Sequence, residues 1–412
     1  MCGIVGYCGF REPRDVIVSG LRKLEYRGYD SAGVAIYSDG VFKRIRAEGK
    51  LAALDFKLQT ETFTGHIGIG HTRWATHGVP SERNAHPHQA GGISLVHNGI
   101  IENYLEIRES LIGAGKKIQS DTDSELVAHL LADEVSKTQD LFLAVQNVLP
   151  RLKGAYSIVA VWDKKPDTLV AFKDGPPLVV GLPEATHLEA FIASDVQALV
   201  QYTKKVIYLN DQEIVVAQKN SIHFYTAKGV PITKSPVTIH WSADQVEKQG
   251  YKHFMLKEIH EQPRAFAAAI QPYVDLEKFS VKVPEIEFLT DIQKITIIAC
   301  GTSYYAGLAG KYYFETVAGI STEVDIASEF RYRNPIVNKN DLIITISQSG
   351  ETADTLAAIR LAKSFGAKTL SICNVKNSSI DREADLKLYM NSGPEIGVAS
   401  TNAFVSTLGV LN

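Results

Sequence analysis

Hydrophobic residues recur with two periods along the first part of the chain. The apolar run at residues 4–7 predicts a short strand, and Ile17, Leu21 and Leu24 share one face of a helix that would pack on it. Further strands are expected, with turns such as Asp39-Gly40 between them, at 33–37, 41–46, 65–70, 93–96, 157–162, 168–172 and 206–216. Residues 1–240 are therefore expected to form one α+β domain, a mainly β layer with helices outside.

After residue 240 the pattern changes. Residues 241–285 are charged and helical around 254–269 and then irregular, which is typical of a connector between domains. In residues 286–412 strands and helices alternate, and this alternation predicts an α/β domain with a parallel sheet. Its strands are expected at 295–299, 342–346 and 369–373.

Composition and charge restrict the functions that the chain can have. With 43 basic and 46 acidic residues and a net charge of −3, no block of like charge favours binding to nucleic acid or to a membrane. Four cysteines in 412 residues are too few for a disulfide framework, and no pair of them has metal-ligand spacing. The sequence has no apolar stretch that predicts a membrane span or a signal peptide. We therefore expect a cytoplasmic protein that acts on small molecules without a metal or other cofactor.

Cys2 follows the initiator methionine, so removal of Met1 would place a thiol and an α-amine on one residue. An α-amine with a pKa of about 8 can accept the proton of the neighbouring thiol, which gives the nucleophile its own base. The alternative is an inert, frayed terminal residue. The first seven residues alone do not decide between the two.

Residues 71–78 concentrate polar groups after a predicted strand. Arg73 offers a planar fork that fits a carboxylate. Thr76 and His77 add hydrogen-bond donors, and Trp74 could close a lid. A single histidine or tryptophan is more often part of a core, but four such residues within five positions favour a binding site.

Three other positions have both a functional and a structural interpretation. Arg27 lies in a polar loop and could approach the Cys2 thiolate or pair with a neighbouring acid. Asn98-Gly99 sets a side-chain amide beside a backbone N–H, as an oxyanion hole requires, although these residues alone favour a simple turn. Asp123 stands where a helix N-cap is expected and could equally bind a substrate ammonium group.

Two loops rich in serine, threonine and glycine follow the first two strands of the expected parallel sheet. Hydroxyls and backbone N–H groups at a helix start can hold a phosphate. Neither loop is a Walker or dinucleotide motif, and neither contains arginine or lysine, so neutral donors would bind the phosphate. One such loop is commonly a plain N-cap, but a matched pair favours a ligand site. The candidate residues are Cys300, Gly301, Thr302, Ser303, Ser347, Gln348, Ser349 and Thr352.

These motifs resemble those of known families. The first half is similar to class II glutamine amidotransferases, which are N-terminal-nucleophile hydrolases built on stacked antiparallel sheets with helices; the matching segments are 2–6, 24–31, 71–78, 84–88 and 97–99. The second half resembles the first sugar isomerase (SIS) domain of the glucosamine-6-phosphate synthase family in segments 299–303, 326–332, 347–352 and 397–401. This pair of domains disfavours phosphoribosyl-pyrophosphate amidotransferases and asparagine synthetases, which share the front half alone.

The resemblance implies roles in glutamine hydrolysis. Cys2 would attack the side-chain amide of glutamine, and Asn98 and the Gly99 N–H would stabilise the oxyanion. The residues implied to bind or enclose glutamine are Arg73, Thr76 and His77 at its α-carboxylate, Asp123 at its α-ammonium group, Trp74 as the gate of an ammonia channel, and Arg27.

The implied overall reaction converts fructose 6-phosphate and glutamine into glucosamine 6-phosphate and glutamate, the first step of the hexosamine pathway. Fructose 6-phosphate would bind the two loops, with Val398 and Ala399 beside the sugar. A homodimer through the SIS domains is also implied. The alternative from a different class is a sugar-phosphate sensor with an inert front domain, which would have no need for Cys2 or Arg73.

Two features depart from the family pattern. Family members carry a second sugar-binding domain with the ring-opening and isomerising residues, whereas this sequence stops at Asn412 within an expected helix. We therefore expect this chain to hydrolyse glutamine without forming glucosamine 6-phosphate. Asn402 stands where the family usually has lysine, which leaves the contacts at that position open.

Overall fold

The computed structural model of the protein describes residues 2–25, 28–75, 78–183, 189–239, 249–275, 277–283, 289–397 and 399–412. The chain divides into two compact units, Met1–Ser242 and Ala243–Asn412.

The strands of the first unit form two antiparallel sheets. The described strands are β1 (Gly3–Cys8), β2 (Ser31–Ser38), β3 (Val41–Glu48), β4 (Ile67–Arg73), β5 (His88–Ala90), β6 (Ile93–Ile101), β7 (Gly154–Trp162), β8 (Lys165–Asp174), β9 (Val179–Gly181), β10 (Ala190–Ala193), β11 (Lys205–Tyr208), β12 (Glu213–Gln218), β13 (Ser221–Thr226), β14 (Pro231–Ile232) and β15 (Val237–Thr238). One sheet has the order β15-β11-β9-β10-β1-β4-β2-β3, and the other has the order β14-β13-β12-β8-β7-β6-β5. β1 is therefore an interior strand, held between β10 and β4.

Helices cover the outer face of each sheet. They are α1 (Pro13–Lys23), α2 (Leu51–Leu58), α3 (Tyr104–Gly113), α4 (Asp123–Thr138) and α5 (Leu141–Val148). One core, which contains Ile17, lies between the first sheet and α1 and α2. A second core, which contains Leu126, lies between the other sheet and α3 to α5. A third core, with Ile4 and Val96, fills the space between the sheets. This layering confirms the expected α+β fold of stacked antiparallel sheets with helices.

The alternation of side chains along a strand assigns each residue of β4 to one layer. Ile69 belongs to the core between the sheets, whereas Gly70 faces α1. A Cβ atom at Gly70 would lie 2.2 Å from Cγ2 of Ile17, so the glycine lets α1 approach the sheet closely. By the same alternation, His71 and Arg73 follow Ile69 on the face toward the second sheet.

Three expectations about the strands are wrong. The run expected at 206–216 divides into two strands, because β11 pairs with β9 in the first sheet and β12 pairs with β8 in the second. The strand expected at 65–70 continues to Arg73, because residues 71–73 pair with β1 and β2. The turn that the Asn98-Gly99 pair favours does not form, because β6 runs through both residues and pairs them with Ser157 and Tyr156 of β7. Pairing with a long neighbouring strand outweighs the local preference of an Asn-Gly pair.

The second unit has a parallel sheet, as the alternation of strands and helices predicts. Its described elements are α6 (Phe254–Ile270), β16 (Val274–Asp275), β17 (Ser280–Val281), β18 (Lys294–Ala299), α7 (Gly301–Tyr313), β19 (Thr322–Ile326), α8 (Ala327–Tyr332), β20 (Asp341–Ser347), α9 (Ala353–Ser364), β21 (Lys368–Cys373), α10 (Ser379–Glu383), β22 (Leu386–Tyr389) and α11 (Asn402–Leu411). The parallel strands have the order β19-β18-β20-β21-β22. The next strand along the chain, β19, therefore lies on one side of β18, and the strand after it, β20, lies on the other side. Such a switch point opens a crevice at the carboxyl ends of the strands.

Among the helices that the structure describes, none has the length and apolar character needed to cross a membrane.

The close packing of α1 on β4 makes a testable prediction. Gly70→Ala should destabilise the first unit by about 1–3 kcal/mol, because the new methyl group would meet Ile17 and force α1 or the strand to shift. The control is Gly113→Ala at the end of α3, where a Cβ atom meets nothing within 4 Å. This control should be neutral or stabilising by about 0.5 kcal/mol. The thermal unfolding midpoint measures both changes, and equal midpoints for the two variants would contradict the packing argument.

Candidate active site

Cys2 and Arg73 lie at the same end of the first sheet. β1 and β4 are antiparallel with Gly3 opposite Thr72, so Cys2 stands at the next position, level with Arg73. The N–H of Trp74 donates to the Cys2 sulfur at 3.1 Å, and the same sulfur lies 3.6 Å from the Trp74 carbonyl oxygen. The end of β4 therefore fixes the position of the thiol.

The protonation state of this thiol follows from its surroundings. Burial raises the pKa of the Cys2 thiol, although the Trp74 N–H and the Arg73 guanidinium oppose the rise. The protonated thiol is thus the resting form at neutral pH. A base must remove its proton before the sulfur can attack.

Asn98 connects the second sheet to the nucleophile. Its Nδ2 donates to the Cys2 carbonyl oxygen at 3.1 Å. The following residue, Gly99, has a φ of +120°, and a Cβ atom there would lie 2.0 Å from the Ala155 carbonyl oxygen. Only glycine fits this close approach inside a strand. The Asn98 amide, which contacts Cys2, and the Gly99 N–H are the two kinds of donor that stabilise an oxyanion.

A cluster of buried histidines begins beside Asn98, and the sequence pattern does not reveal them as a group. His71 Nε2 lies 2.9 Å from Asn98 Oδ1, and the His71 ring stacks on that of His86 at a centroid distance of 4.1 Å. His86 in turn contacts the rings of His88 and His97. Burial lowers the pKa of His71 to about 3 and those of His86 and His88 well below the usual value. These three rings are therefore neutral at physiological pH.

The Asp123 carboxylate is anchored to β6 as well as to its own helix. The Ile101 N–H donates to Oδ2 at 2.8 Å, and the Ser124 hydroxyl donates to Oδ1 at 3.2 Å. The same hydroxyl lies 2.8 Å from Nδ1 of His97. The helix N-cap is Thr122, whose side chain accepts a backbone N–H, so the capping interpretation of Asp123 is wrong. The Asp123 carboxylate is instead a buried hydrogen-bond acceptor that the Ile101 N–H and the Ser124 hydroxyl hold in place.

Asp30 also lies at the site, although the sequence pattern did not predict that it would contact the segment around Arg73. Its N–H donates to the Arg73 carbonyl oxygen at 2.7 Å, and its Oδ2 accepts from the Ala75 N–H at 2.5 Å. Burial lowers the pKa of the Arg73 guanidinium, whereas the carboxylates of Asp30 and Asp123 oppose the change. Asp30 thus holds the segment that carries Arg73 and supplies part of the negative charge around it.

The sequence-predicted residues Arg27, Thr76, His77 and Val398 lie outside the described residues. Trp74 is described, and its side chain is 56% exposed. Its ring lies against Gly28, where a Cβ atom would come within 2.2 Å of the ring carbon Cζ3.

In the second unit, the two predicted phosphate loops meet at one edge of the parallel sheet. β18 and β20 are neighbours with Ala299 opposite Ile346, so the loops that follow them begin side by side. Within the second loop, the Ser347 hydroxyl lies 3.0 Å from the Thr352 hydroxyl and accepts the Gly350 N–H at 3.0 Å. The predicted residues that are exposed or half-buried are Cys300, Gly301, Thr302, Ser303, Gln348, Ser349, Thr352 and Ala399.

Asn402 is fully buried at the start of α11. Neither polar atom of its side chain has a hydrogen-bond partner among the described residues. The preceding Thr401 hydroxyl lies 3.0 Å from Oε2 of Glu258 and 3.1 Å from Oε1 of Glu395, and both carboxylates are buried. The lysine that is usual at this position in the similar family would bring a positive charge into this acidic surrounding, and asparagine supplies none.

Comparison with known proteins adds an independent line of support. The sequence matches the family described as glutamine amidotransferase domain over residues 71–201 and the SIS domain family over residues 288–412. It is 50% identical over 414 residues to the glutamine–fructose-6-phosphate aminotransferase (isomerizing) of Clostridium tetani. This alignment covers 99% of this chain and 67% of the Clostridium protein. It is 45% identical over 413 residues to the protein of the same name from Thermus thermophilus. This second alignment covers 100% of this chain and 67% of the Thermus protein.

Glu125 fixes the loop that leads into α4 and hence into Asp123. Its carboxylate accepts the Gln119 N–H at 2.7 Å and both the N–H and the hydroxyl of Ser120 at 2.5 Å. Burial alone would raise the pKa of this carboxyl group, but hydrogen bonds from His129, Ser120 and Gln119 outweigh it and lower the pKa to about 2. A carboxylate with a depressed pKa stabilises the folded state above its unfolded pKa, and this contribution is lost as the pH falls from about 4.5 toward 2.

Glu125→Gln should therefore lower the free energy of unfolding at pH 7 by up to about 3 kcal/mol, and the difference from the parent chain should shrink below pH 4. Urea unfolding at pH 7 and at pH 3 measures both values. Glu109→Gln, at an exposed position of α3, is the control and should change stability little at either pH. If the Glu125→Gln chain were as stable as its parent at pH 7, the proposed role of Glu125 in fixing the loop before α4 would be wrong.

Proposed function

The chain belongs to the glutamine–fructose-6-phosphate aminotransferase (isomerizing) family, and on that premise we propose that its first unit hydrolyses glutamine with Cys2 as the nucleophile. The second unit binds fructose 6-phosphate, the acceptor of the ammonia in the family's reaction. The observation that carries the proposal is the hydrogen bond from the Asn98 amide to the Cys2 carbonyl oxygen, because it places an oxyanion donor at the residue that carries the nucleophilic sulfur.

The proposed chemistry begins with removal of Met1, which frees the α-amine of Cys2. The amine takes the thiol proton, and the sulfur attacks the carbon of the glutamine side-chain amide. The oxygen becomes an oxyanion that Asn98 Nδ2 and the Gly99 N–H stabilise. The proton then passes to the leaving nitrogen, ammonia departs, and a thioester remains. Water attacks the thioester through a second oxyanion and releases glutamate and the free thiol.

Charge around the site supports the proposed recognition of an amino acid. Arg73 is 4% exposed and Asp123 is 3% exposed, so a cation and an anion both lie in a buried setting. We assign Arg73, with Thr76 and His77, to the α-carboxylate and Asp123 to the α-ammonium group. Arg27 completes the glutamine site. Trp74, whose backbone already contacts the Cys2 sulfur, gates the exit of ammonia.

The crevice beside β18 supports the proposed sugar-phosphate site. Hydroxyls and backbone N–H groups of the loops at 300–303 and 347–352 bind the phosphate, and the helix starts of α7 and α9 add their dipoles. Val398 and Ala399 lie beside the sugar in this proposal. The active protein is a cytoplasmic homodimer that associates through its SIS domains.

The role of Cys2 has a direct test. Cys2→Ala should abolish the release of glutamate from glutamine, because no other group supplies the attacking sulfur, and should leave the affinity for fructose 6-phosphate unchanged. Glutamate is measured by an enzyme-coupled assay and sugar-phosphate binding by calorimetry. Cys8→Ala is the matched control, since Cys8 is the buried cysteine at the other end of β1 and should tolerate the change without loss of hydrolysis. Hydrolysis that survives in Cys2→Ala would refute the mechanism.

The extent of the reaction in this chain is a separate prediction. The purified 412-residue chain should release glutamate from glutamine, with or without fructose 6-phosphate, and should form no glucosamine 6-phosphate. The reason is that the resemblance assigns the ring-opening and isomerising residues to the further domain of the family. Mass spectrometry of the products distinguishes the outcomes. Amino-sugar formation would refute this restriction, and binding of fructose 6-phosphate without any glutamate release would favour the sensor alternative.

A further inference from the structure

His71 lies deep in the first unit, directly behind the donor that contacts the nucleophile. It is 0% exposed, and its position on β4 turns its side chain toward the second sheet. Its Nε2 lies 2.9 Å from Oδ1 of Asn98, whose Nδ2 reaches the Cys2 carbonyl oxygen at 3.1 Å. The three residues thus form one continuous chain of hydrogen bonds across the two sheets.

The direction of each hydrogen bond in this chain follows from chemistry. The carbonyl oxygen of Cys2 can accept but not donate, so the NH2 group of the Asn98 amide must face it. The amide oxygen of Asn98 then faces His71, and it too can only accept. Nε2 of His71 must therefore carry the proton, and His71 is the donor.

We propose that His71 is a positioning residue for the oxyanion donor: its Nε2–H holds the Asn98 side chain with the NH2 group toward Cys2. This inference rests on the proposed function, in which Asn98 stabilises the oxyanion. The amide NH2 has two hydrogens. One is committed to the Cys2 carbonyl group, and in the proposed function the other donates to the oxyanion.

The surroundings of His71 suit a fixed donor. Its ring stacks on that of His86 with an interplanar angle of 15°, which prevents rotation. His86 is itself held, because its Nδ1 accepts the His97 N–H at 3.2 Å. Burial keeps His71 neutral, since its pKa is lowered to about 3, so the ring keeps the same single donor over the range in which an enzyme works. Without this donor, the Asn98 amide could turn its oxygen toward the developing negative charge, and an acceptor there would repel it.

The test is a set of single and double variants assayed for glutamine hydrolysis. His71→Ala should lower kcat by about 10²-fold, similar to the loss of one oxyanion donor, and should change KM for glutamine little. His71→Gln, whose amide can present an N–H near the position of Nε2, should recover part of the lost kcat. His88→Gln is the comparison, because His88 is equally buried but contacts the Thr122 hydroxyl at 3.1 Å instead of Asn98 and is separated from His71 by the His86 ring; it should lower kcat far less than His71→Ala does. His223→Gln, at an exposed position of β13, is the control and should leave kcat unchanged. Thermal unfolding midpoints confirm that each variant is folded, and His71→Gln carries the test if His71→Ala is not.

A double-variant cycle separates positioning from general support of the fold. If His71 acts through Asn98, then His71→Ala should cost nothing further in kcat once Asn98→Ala is present. Independent, multiplicative losses in the double variant would overturn the inference while leaving the role of Asn98 intact. An Asn98→Ala chain with unchanged kcat would instead refute the proposed oxyanion donor itself. A loss of kcat in His88→Gln as large as that in His71→Ala would also overturn the inference, since it would reflect the buried histidines in general.

Discussion

The hydrogen bond from Asn98 to the Cys2 carbonyl group joins the two sheets at the end where the candidate site lies. It can form because side chains alternate along β6, so that Val96 and Asn98 face the first sheet while Ile93 and Leu95 face the helices. A shift of β6 by one residue would turn Asn98 toward α4 and remove the contact. Apolar packing between the sheets thus fixes the register on which the surroundings of the nucleophile depend.

The layer between the sheets changes from apolar to polar toward Cys2, and hydrogen bonds between its polar side chains help to stabilise this change. His71 pairs with Asn98, and His97 pairs with Ser124. Buried polar groups without partners would cost several kcal/mol, so such pairs allow a polar site inside a hydrophobic sandwich. Neutral imidazoles suit this place, because burial opposes their charged form. In a setting that excludes water, the hydrogen bonds are strong and their geometry is well defined.

The second unit positions its candidate residues by a different rule. Parallel strands end at the same edge of a sheet, and the change of direction beside β18 separates the two loops into a crevice. The Ser347 hydroxyl is already bonded to Thr352 and Gly350, so the second loop has its shape before any ligand binds. In both units, then, regular strand pairing sets the backbone, and short-range polar contacts at strand ends complete the site.

Local sequence patterns predict most of the elements, the two fold classes and most of the chemical groups at the sites. Apolar residues recur every two positions in strands and every three to four positions in helices, because one face of each element is buried, and each segment encodes this pattern locally. Cys2 and Arg73 stand out by their chemistry. The sequence was misleading at Asn98-Gly99, because turn preference is a property of two residues whereas the pairing with β7 depends on a distant strand. The folded structure was needed to show that Asn98 contacts Cys2, that His71 contacts Asn98 and that the Asp30 carboxylate binds the Ala75 N–H. These contacts join residues far apart in the chain, and they depend on strand order and sheet packing, which no local pattern specifies.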